Sequence, residues 1–370
     1  VSGPAAAAPG RIAWLDLARA LSIVLVVVYH VAVGARGDLF AGVDTRAARW
    51  WVEGNLALVP LRMPLFFAVS GLLAHGAVHR PLAAVARPRY ADLLWPYLLW
   101  SLLFAVIAWP QYAPGDPAGF LWGEVTGMLV AASPYWFIAV LPVFFALARL
   151  GRVHRGALVA VALLAYAAAP AVETAMRAVE ASPDLTYGVF QLLDNALWFV
   201  LGFTARSWIL RRGERGAPWA GTVLAALFCA LVATLEVAQP APALHRVMEL
   251  AASLSGLAAC AALLPLPARW APLARAGSLI GSRTLVIYLV HPLVISAAVM
   301  LWRASHAGEV LGDTVRSTLL VPALSALAIV CALAVDAVLT RWGPHWLLRA
   351  PGAPDRAPSD GTARARRASS

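Results

Sequence analysis

The feature that most constrains this chain is a succession of apolar blocks, separated by short segments that hold most of the arginines. Each block is about 20 residues long, the length an α-helix needs to cross a bilayer core. The blocks at 12–34, 55–78, 93–111, 135–150, 156–172, 190–210, 218–238, 245–267, 280–302 and 317–340 predict ten spans. In lipid the backbone must bond to itself, which leaves helices or closed barrels. A barrel shows shorter, alternating segments. The expected fold class is therefore all-α, a polytopic membrane protein with about ten transmembrane helices. Only 13% of residues are charged, against about 25% in soluble domains.

All 29 basic residues are arginine. Seven (Arg36, Arg46, Arg49, Arg177, Arg246, Arg303 and Arg316) fall on one set of alternate loops, Arg19 and Arg62 lie within spans, and the other 20 fall on the opposite set or in the tail. Basic residues accumulate on cytoplasmic loops, so both termini are expected inside. The net charge of +10 then reads as topology. Nucleic acid is not an expected partner, because charge without a motif does not carry that reading. Residues 1–10 read as a leader without structure, 11–340 as the transmembrane domain and 341–370 as a basic, disordered cytoplasmic tail. The stretch 118–131 reads as an interfacial helix. Cys229, Cys260 and Cys331 each lie inside an apolar block and read as small packing residues. Their spacing suggests neither a disulfide framework nor a metal site.

Ionisable residues inside spans are costly and point to function. Arg19 and His30 are 11 residues apart, three turns plus about 20°, so they share one face of the first helix about 16 Å apart along its axis. Asp16, three residues before Arg19, can pair with it. Arg62 enters the second span at the depth of His30. Pro64 can kink that helix, and Ser70-Gly71 permits a close backbone approach. Asp194, Glu249 and Asp336 read at least as well as interfacial side chains. Arg87 and Arg89 precede the third span, where they fit either an anionic cofactor or anionic lipid. In SRTLVIYLVHPLVI, Tyr288 and His291 are three apart and face one way. His291 fits a cavity or a helix contact, and the cavity is favoured.

The run LDLARALSIVLVVVYH (Leu15 to His30) resembles the first-helix signature of the integral-membrane acyltransferase 3 family. MPLFFAVSGLL, YWFIAVL (Tyr135 to Leu141) and IYLVH (Ile287 to His291) recur in that family in the same order. The resemblance implies a ten-helix membrane enzyme. Such an enzyme takes an acyl group, usually acetyl, from cytoplasmic acyl-CoA and attaches it to a hydroxyl of a glycan, lipid-linked sugar or secondary metabolite. The family's first-helix Arg and His map onto Arg19 and His30. Its Arg-x-x-Arg motif before the third helix finds Arg89 at the first position but Asp92 at the second, and Arg87 is the available substitute. The C-terminal esterase-like domain of many relatives has no counterpart in the 30-residue tail, so a stand-alone transferase of a bacterial cell membrane is expected.

The site residues expected are thus His30, Arg19 and Asp16 for catalysis; Arg62, Ser70, Trp136, Tyr288 and His291 for substrate; and Arg87 and Arg89 for acyl-CoA, with no metal. The expected partners are acyl-CoA, a hydroxylated acceptor and the lipid bilayer. His30 is expected to act as general base, or alternatively to be transiently acylated; direct transfer needs fewer steps. Asp16 would orient Arg19, and Arg62 would stabilise the oxyanion or position the acceptor. A transporter or flippase is the competing reading, because buried Arg, Asp and His also line transport paths. Against it stand the dense Arg–His stripe and the lack of an internal repeat. A structural or sensory membrane protein leaves the buried charges without a purpose.

Overall fold

The computed structural model describes residues 12–306 and 310–352, with Glu214 and Arg215 as backbone only. The expected leader at 1–10 and the tail from 353 lie outside the described residues. Among those described, every regular element is helical. Eight helices are long and apolar enough to cross a membrane; a bent pair brings the number to nine, and the shorter Trp136–Leu150 is also apolar. The chain is an all-α polytopic membrane protein.

The first span, α1 (Ala13–Tyr29), continues through a π turn at His30–Gly34. Short α2 (Arg36–Leu39) and α3 (Arg46–Ala57) lead into α4 (Val59–Val78), which carries Pro64 inside it. Next come α5 (Leu82–Ala86), a second π turn at Arg87–Ala91 and α6 (Asp92–Tyr112). The expected interfacial helix is α7 (Pro117–Leu129), started by the Asp116 side chain accepting from Gly119 N. The fourth to sixth apolar blocks give α8 (Trp136–Leu150), α9 (Arg155–Ala178) and α10 (Pro183–Thr204). The expected span at 190–210 is corrected here. The chain bends by 68° after Thr204, and the arginine-rich α11 (Arg206–Arg215) departs from the axis of α10. A strongly cationic segment has no place in an apolar slab. The remaining helices are α12 (Pro218–Ala238), α13 (Pro242–Leu263), α14 (Ala271–Gly281), α15 (Thr284–Ser305) and α16 (Asp313–Arg341).

Helix α1 stands in the middle, touching α3, α4, α14, α15 and α16. Neighbours α9–α10, α12–α13 and α15–α16 pack in pairs around it, and α4 lies along α10. The outer helices keep large apolar side chains exposed, among them Leu164, Val237, Leu319 and Val330. Water would penalise such a surface, but lipid does not, and helices there associate through close packing rather than hydrophobic expulsion. This explains one departure from expectation. Cys229 is exposed, and Cys260 and Cys331 are only half-buried, because an apolar residue on a span can face lipid as readily as protein.

The crossing of α4 and α10 rests on two glycines. A Cβ at Gly71 would collide with the Phe199 carbonyl, and a Cβ at Gly202 with the Ala68 carbonyl. Backbones that meet this closely have no room for a side chain on either side. Gly202→Val is expected to destabilise the protein by about 1–3 kcal/mol through overpacking. Gly76→Ala, on the same α4 but facing open space, is expected to be harmless. Thermal unfolding of the two detergent-purified variants checks this, and equal midpoints would show that the crossing does not depend on close approach.

Candidate active site

Periodicity on α1 places the two diagnostic residues. Regular α-helix runs to Tyr29, and His30 is the first residue of the π turn, so the helical spacing between Arg19 and His30 is unbroken. π turns insert one extra residue into a helix and are frequent at functional sites. Here the turn ends the regular spiral at His30.

Three adjoining cavities run along this face. The first, about 210 Å³, is lined by Arg19, Ser70, Arg89, Thr284 and Tyr288 among apolar side chains. The second, about 320 Å³, is lined by His30, Arg62, Trp136 and Tyr288, with Asp194 and Glu249 on its wall. The third, about 310 Å³, is lined by His30, Gln111, Glu124, Trp136 and Tyr187. Phe66, Phe137 and Tyr288 stand between the first and second cavities. His30, Trp136 and Tyr187 stand between the second and third. Arg19 therefore serves one end of the path, and His30 the junction nearer the other.

The hydrogen bonding of His30 fixes its chemistry. Its Nδ1 lies 2.8 Å from the Val26 carbonyl. A carbonyl only accepts, so Nδ1 carries the hydrogen, and the neutral ring holds its basic lone pair on Nε2. The Arg19 Nη2 donates to Thr284 Oγ1 at 3.1 Å, and its Nη1 lies 3.9 Å from the Asp16 carboxylate. Asp16 is buried, lies beside Arg19 and lines none of the three cavities. Arg62 is buried, lies 4.0 Å from the centroid of the Tyr29 ring and donates from Nη2 to the Asn55 carbonyl at 2.5 Å. A cation over a desolvated aromatic face is favoured by about 2 kcal/mol, which helps hold this charge beside His30. Tyr288 donates to the Pro134 carbonyl at 3.1 Å and accepts from Phe137 N at 3.3 Å. These bonds pin its ring between two cavities. The Ser70 hydroxyl bonds back to the Phe66 carbonyl at 2.8 Å.

Two expected site residues stand elsewhere. His291 lines none of the three cavities. It is fully buried, with its ring centroid 5.0 Å from that of His30, edge to face. Its Nδ1 donates to the Ile287 carbonyl at 2.9 Å. It backs the His30 ring. Arg87 does not reach the first cavity either. Its guanidinium donates to the carbonyls of Ala350, Pro351 and Gly352 at 2.5–2.9 Å, while Arg89 alone of the two lines the cavity.

The partner of Arg87 lies in the first part of the segment expected to form the tail. Residues 342–352 are tied to α6, with Trp95 Nε1 donating to the Trp346 carbonyl at 2.6 Å and Trp100 Nε1 to the Leu347 carbonyl at 2.8 Å. Indole donors at a membrane surface suit such contacts. The three acids read as interfacial are all paired. Asp194 and Glu249 accept from Arg246 at 2.5 and 2.8 Å, and Asp336 accepts from Arg283 at 2.7 Å. Arg246 belongs to α13 and not to a loop.

Sequence reasoning missed Glu124, Gln111 and Thr284. Thr284 sits in the same motif as Tyr288 and is a hydroxyl inside a span, a signal available but weak. Glu124 was legible as the acid of an otherwise apolar interfacial helix. Gln111 carries no charge and gave no signal.

Searches of curated proteins and of solved structures return no match. The acyltransferase 3 family model, described as an acyltransferase domain, matches residues 12–337, nearly the whole of the described helical bundle. The protein thus belongs to the acyltransferase 3 family of membrane acyltransferases.

Proposed function

We propose that the protein is an acyl-CoA-dependent O-acyltransferase, with acetyl-CoA as donor and a hydroxyl of a glycan, lipid-linked sugar or secondary metabolite as acceptor. The observation that carries this reading is the position of His30. It stands at a junction of cavities with its Nδ1 hydrogen committed to Val26, which leaves Nε2 to take a proton.

The cytoplasmic face is then the Arg19 and Arg89 end, with both termini inside, as the arginine distribution suggests. The first cavity suits the donor. Its walls are apolar apart from a few groups, and Arg89 and Arg19 supply two guanidiniums for phosphate and carbonyl oxygens. Arg87, held by the 350–352 carbonyls, contributes to the donor site only if that segment moves. The thioester lies inward of Arg19, beyond Tyr288, beside His30.

The acceptor hydroxyl approaches from the opposite side. His30 Nε2 removes its proton as the oxygen attacks the thioester carbonyl carbon. The tetrahedral intermediate carries an oxyanion, for which the buried Arg62 guanidinium is the nearest cation lining the same cavity. On collapse the carbon–sulfur bond breaks, the sulfur takes the proton from the His30 imidazolium, and free CoA thiol leaves with the new ester behind. Asp16 and Arg19 are too far along the helix, about 16 Å for Arg19, to touch the reacting atoms. They position the donor. His291 holds the His30 ring by packing. An acyl-histidine route would also use Nε2, but it adds a step that this geometry does not require.

Two outcomes test this reading. His30→Ala is expected to cut acetyl-CoA-dependent thiol release by about 10²–10⁴-fold, the range of a lost general base, while the protein still inserts and folds; retained activity would remove His30 from the chemistry. Arg89→Ala is expected to raise the apparent KM for acetyl-CoA about tenfold, as one lost charge-assisted contact does, with kcat nearly unchanged. Arg87→Ala is expected to change KM less. The reverse order in a steady-state titration would place the donor head at Arg87 instead.

A further inference from the structure

The third cavity contains two buried hydrogen-bond acceptor atoms that have no donor among the described residues. Gln111, at the end of α6, is 7% exposed, and its Oε1 has no partner. Glu124, on α7, has its Oε2 buried and equally unpartnered. Both line the cavity that His30 also lines. Buried acceptors normally find a donor, and those that do not call for an explanation.

Nearby cations do not supply one. Among the described residues no arginine lines this cavity. Arg303 comes close, but its Nη1 donates to the backbone carbonyl of Gln111 at 3.0 Å and its Nε to Asp38 at 2.6 Å. Burial, with the Asp184 carboxylate as a like-charged neighbour, pushes the Glu124 carboxyl up to about 7, so the group is poorly satisfied as an anion. The remaining wall is aromatic and small, with Tyr112, Phe120, Trp136 and Tyr187 around it. The space is large enough for a ring-sized molecule, and His30 brings the reactive nitrogen to its edge.

We propose that the third cavity is the acceptor site, where Gln111 Oε1 and Glu124 Oε2 accept hydrogen bonds from groups flanking the reacting hydroxyl. Glu124 also bars acceptors that bring their own negative charge. The inference rests on the acyl-transfer reading above. It names the ligand class as a neutral or cationic alcohol with at least two further hydrogen-bond donors. Two acceptors and an imidazole lining one cavity can orient such a molecule, so that one hydroxyl meets Nε2 while its neighbours are held.

The test uses the full chain in lipid nanodiscs, with acetyl-CoA and three probes of one ring shape. These are methyl α-D-glucopyranoside (neutral), D-glucosamine (cationic at pH 7) and D-glucuronate (anionic). Thiol release and the mass of the acetylated probe are followed. In the wild type the neutral and cationic probes are expected to exceed glucuronate in kcat/KM by roughly tenfold or more, since a buried like charge is strongly rejected. In Glu124→Gln, which keeps the shape, that gap is expected to shrink several-fold, with the KM for acetyl-CoA unmoved. Gln111→Leu is expected to raise the KM for methyl glucopyranoside, again without moving that for acetyl-CoA. An unchanged probe ranking in Glu124→Gln, or a wild type that prefers glucuronate, overturns the proposal. So does a wild type that binds acetyl-CoA but is stimulated by none of the probes; the donor reading then stands alone. A wild type that fails to bind acetyl-CoA overturns the reading beneath it instead.

Discussion

A charge buried among apolar helices must find its partners within the protein, and this constraint shapes the interior here. Arg62, Arg246 and Arg316 show three solutions. Arg62 uses an aromatic face and one backbone carbonyl. Arg246 spreads over two carboxylates and the Tyr166 carbonyl. Arg316 donates to the carbonyls of Leu39 and Ala41, both at 3.0 Å. Arg246 and Arg316 satisfy their donors mainly through other segments and so fasten helices together. Arg62 differs because its side chain lines a cavity, with an Nε that has no hydrogen-bond partner among the described residues. A guanidinium held this way keeps hydrogen-bonding capacity for a ligand, which is why its place beside His30 matters more than its burial.

The same distinction decides how much the sequence could reveal. Spans were legible because lipid imposes length and apolarity on every one, and the match from 12 to 337 covers nearly the interval expected for the membrane domain. The Arg19–His30 stripe was legible because 11 residues of uninterrupted α-helix fix a common face, and the π turn begins only at His30. Which side of a span meets protein was not legible. Cys229 and His291 lie in equally apolar surroundings by sequence, yet one faces outward and the other is fully buried. Periodicity put Tyr288 and His291 on one face, and their rings do lie 5.8 Å apart, yet only Tyr288 lines the cavities. Tyr288 is drawn toward Pro134 and Phe137 between two cavities, and His291 is packed behind His30.

The region before α6 illustrates a second limit. Arg87 and Arg89 are two residues apart and chemically identical, and apart from the motif register that favours Arg89 the sequence gave both the same role. A π turn spans both, so the regular α-helical spacing does not apply to them. In the folded chain Arg87 is spent on carbonyls from a segment more than 260 positions away, and Arg89 remains at the cavity. Long-range backbone contacts of this kind leave no trace in local composition.

The arrangement around His30 reconciles two demands that pull in opposite directions. A general base must be shielded from water so that the proton it takes is the substrate's, yet its surroundings must leave its basic nitrogen able to take that proton. The Val26 carbonyl takes the Nδ1 hydrogen, and the His291 ring meets that of His30 edge to face. His291 is committed by its own Nδ1 to Ile287, so it restrains the His30 ring by packing. Both constraints come from one turn of helix each, the carbonyl four residues back along α1 and along α15. The backbone that the bilayer forces into a helix thereby supplies the acceptor that sets the tautomer of the proposed base.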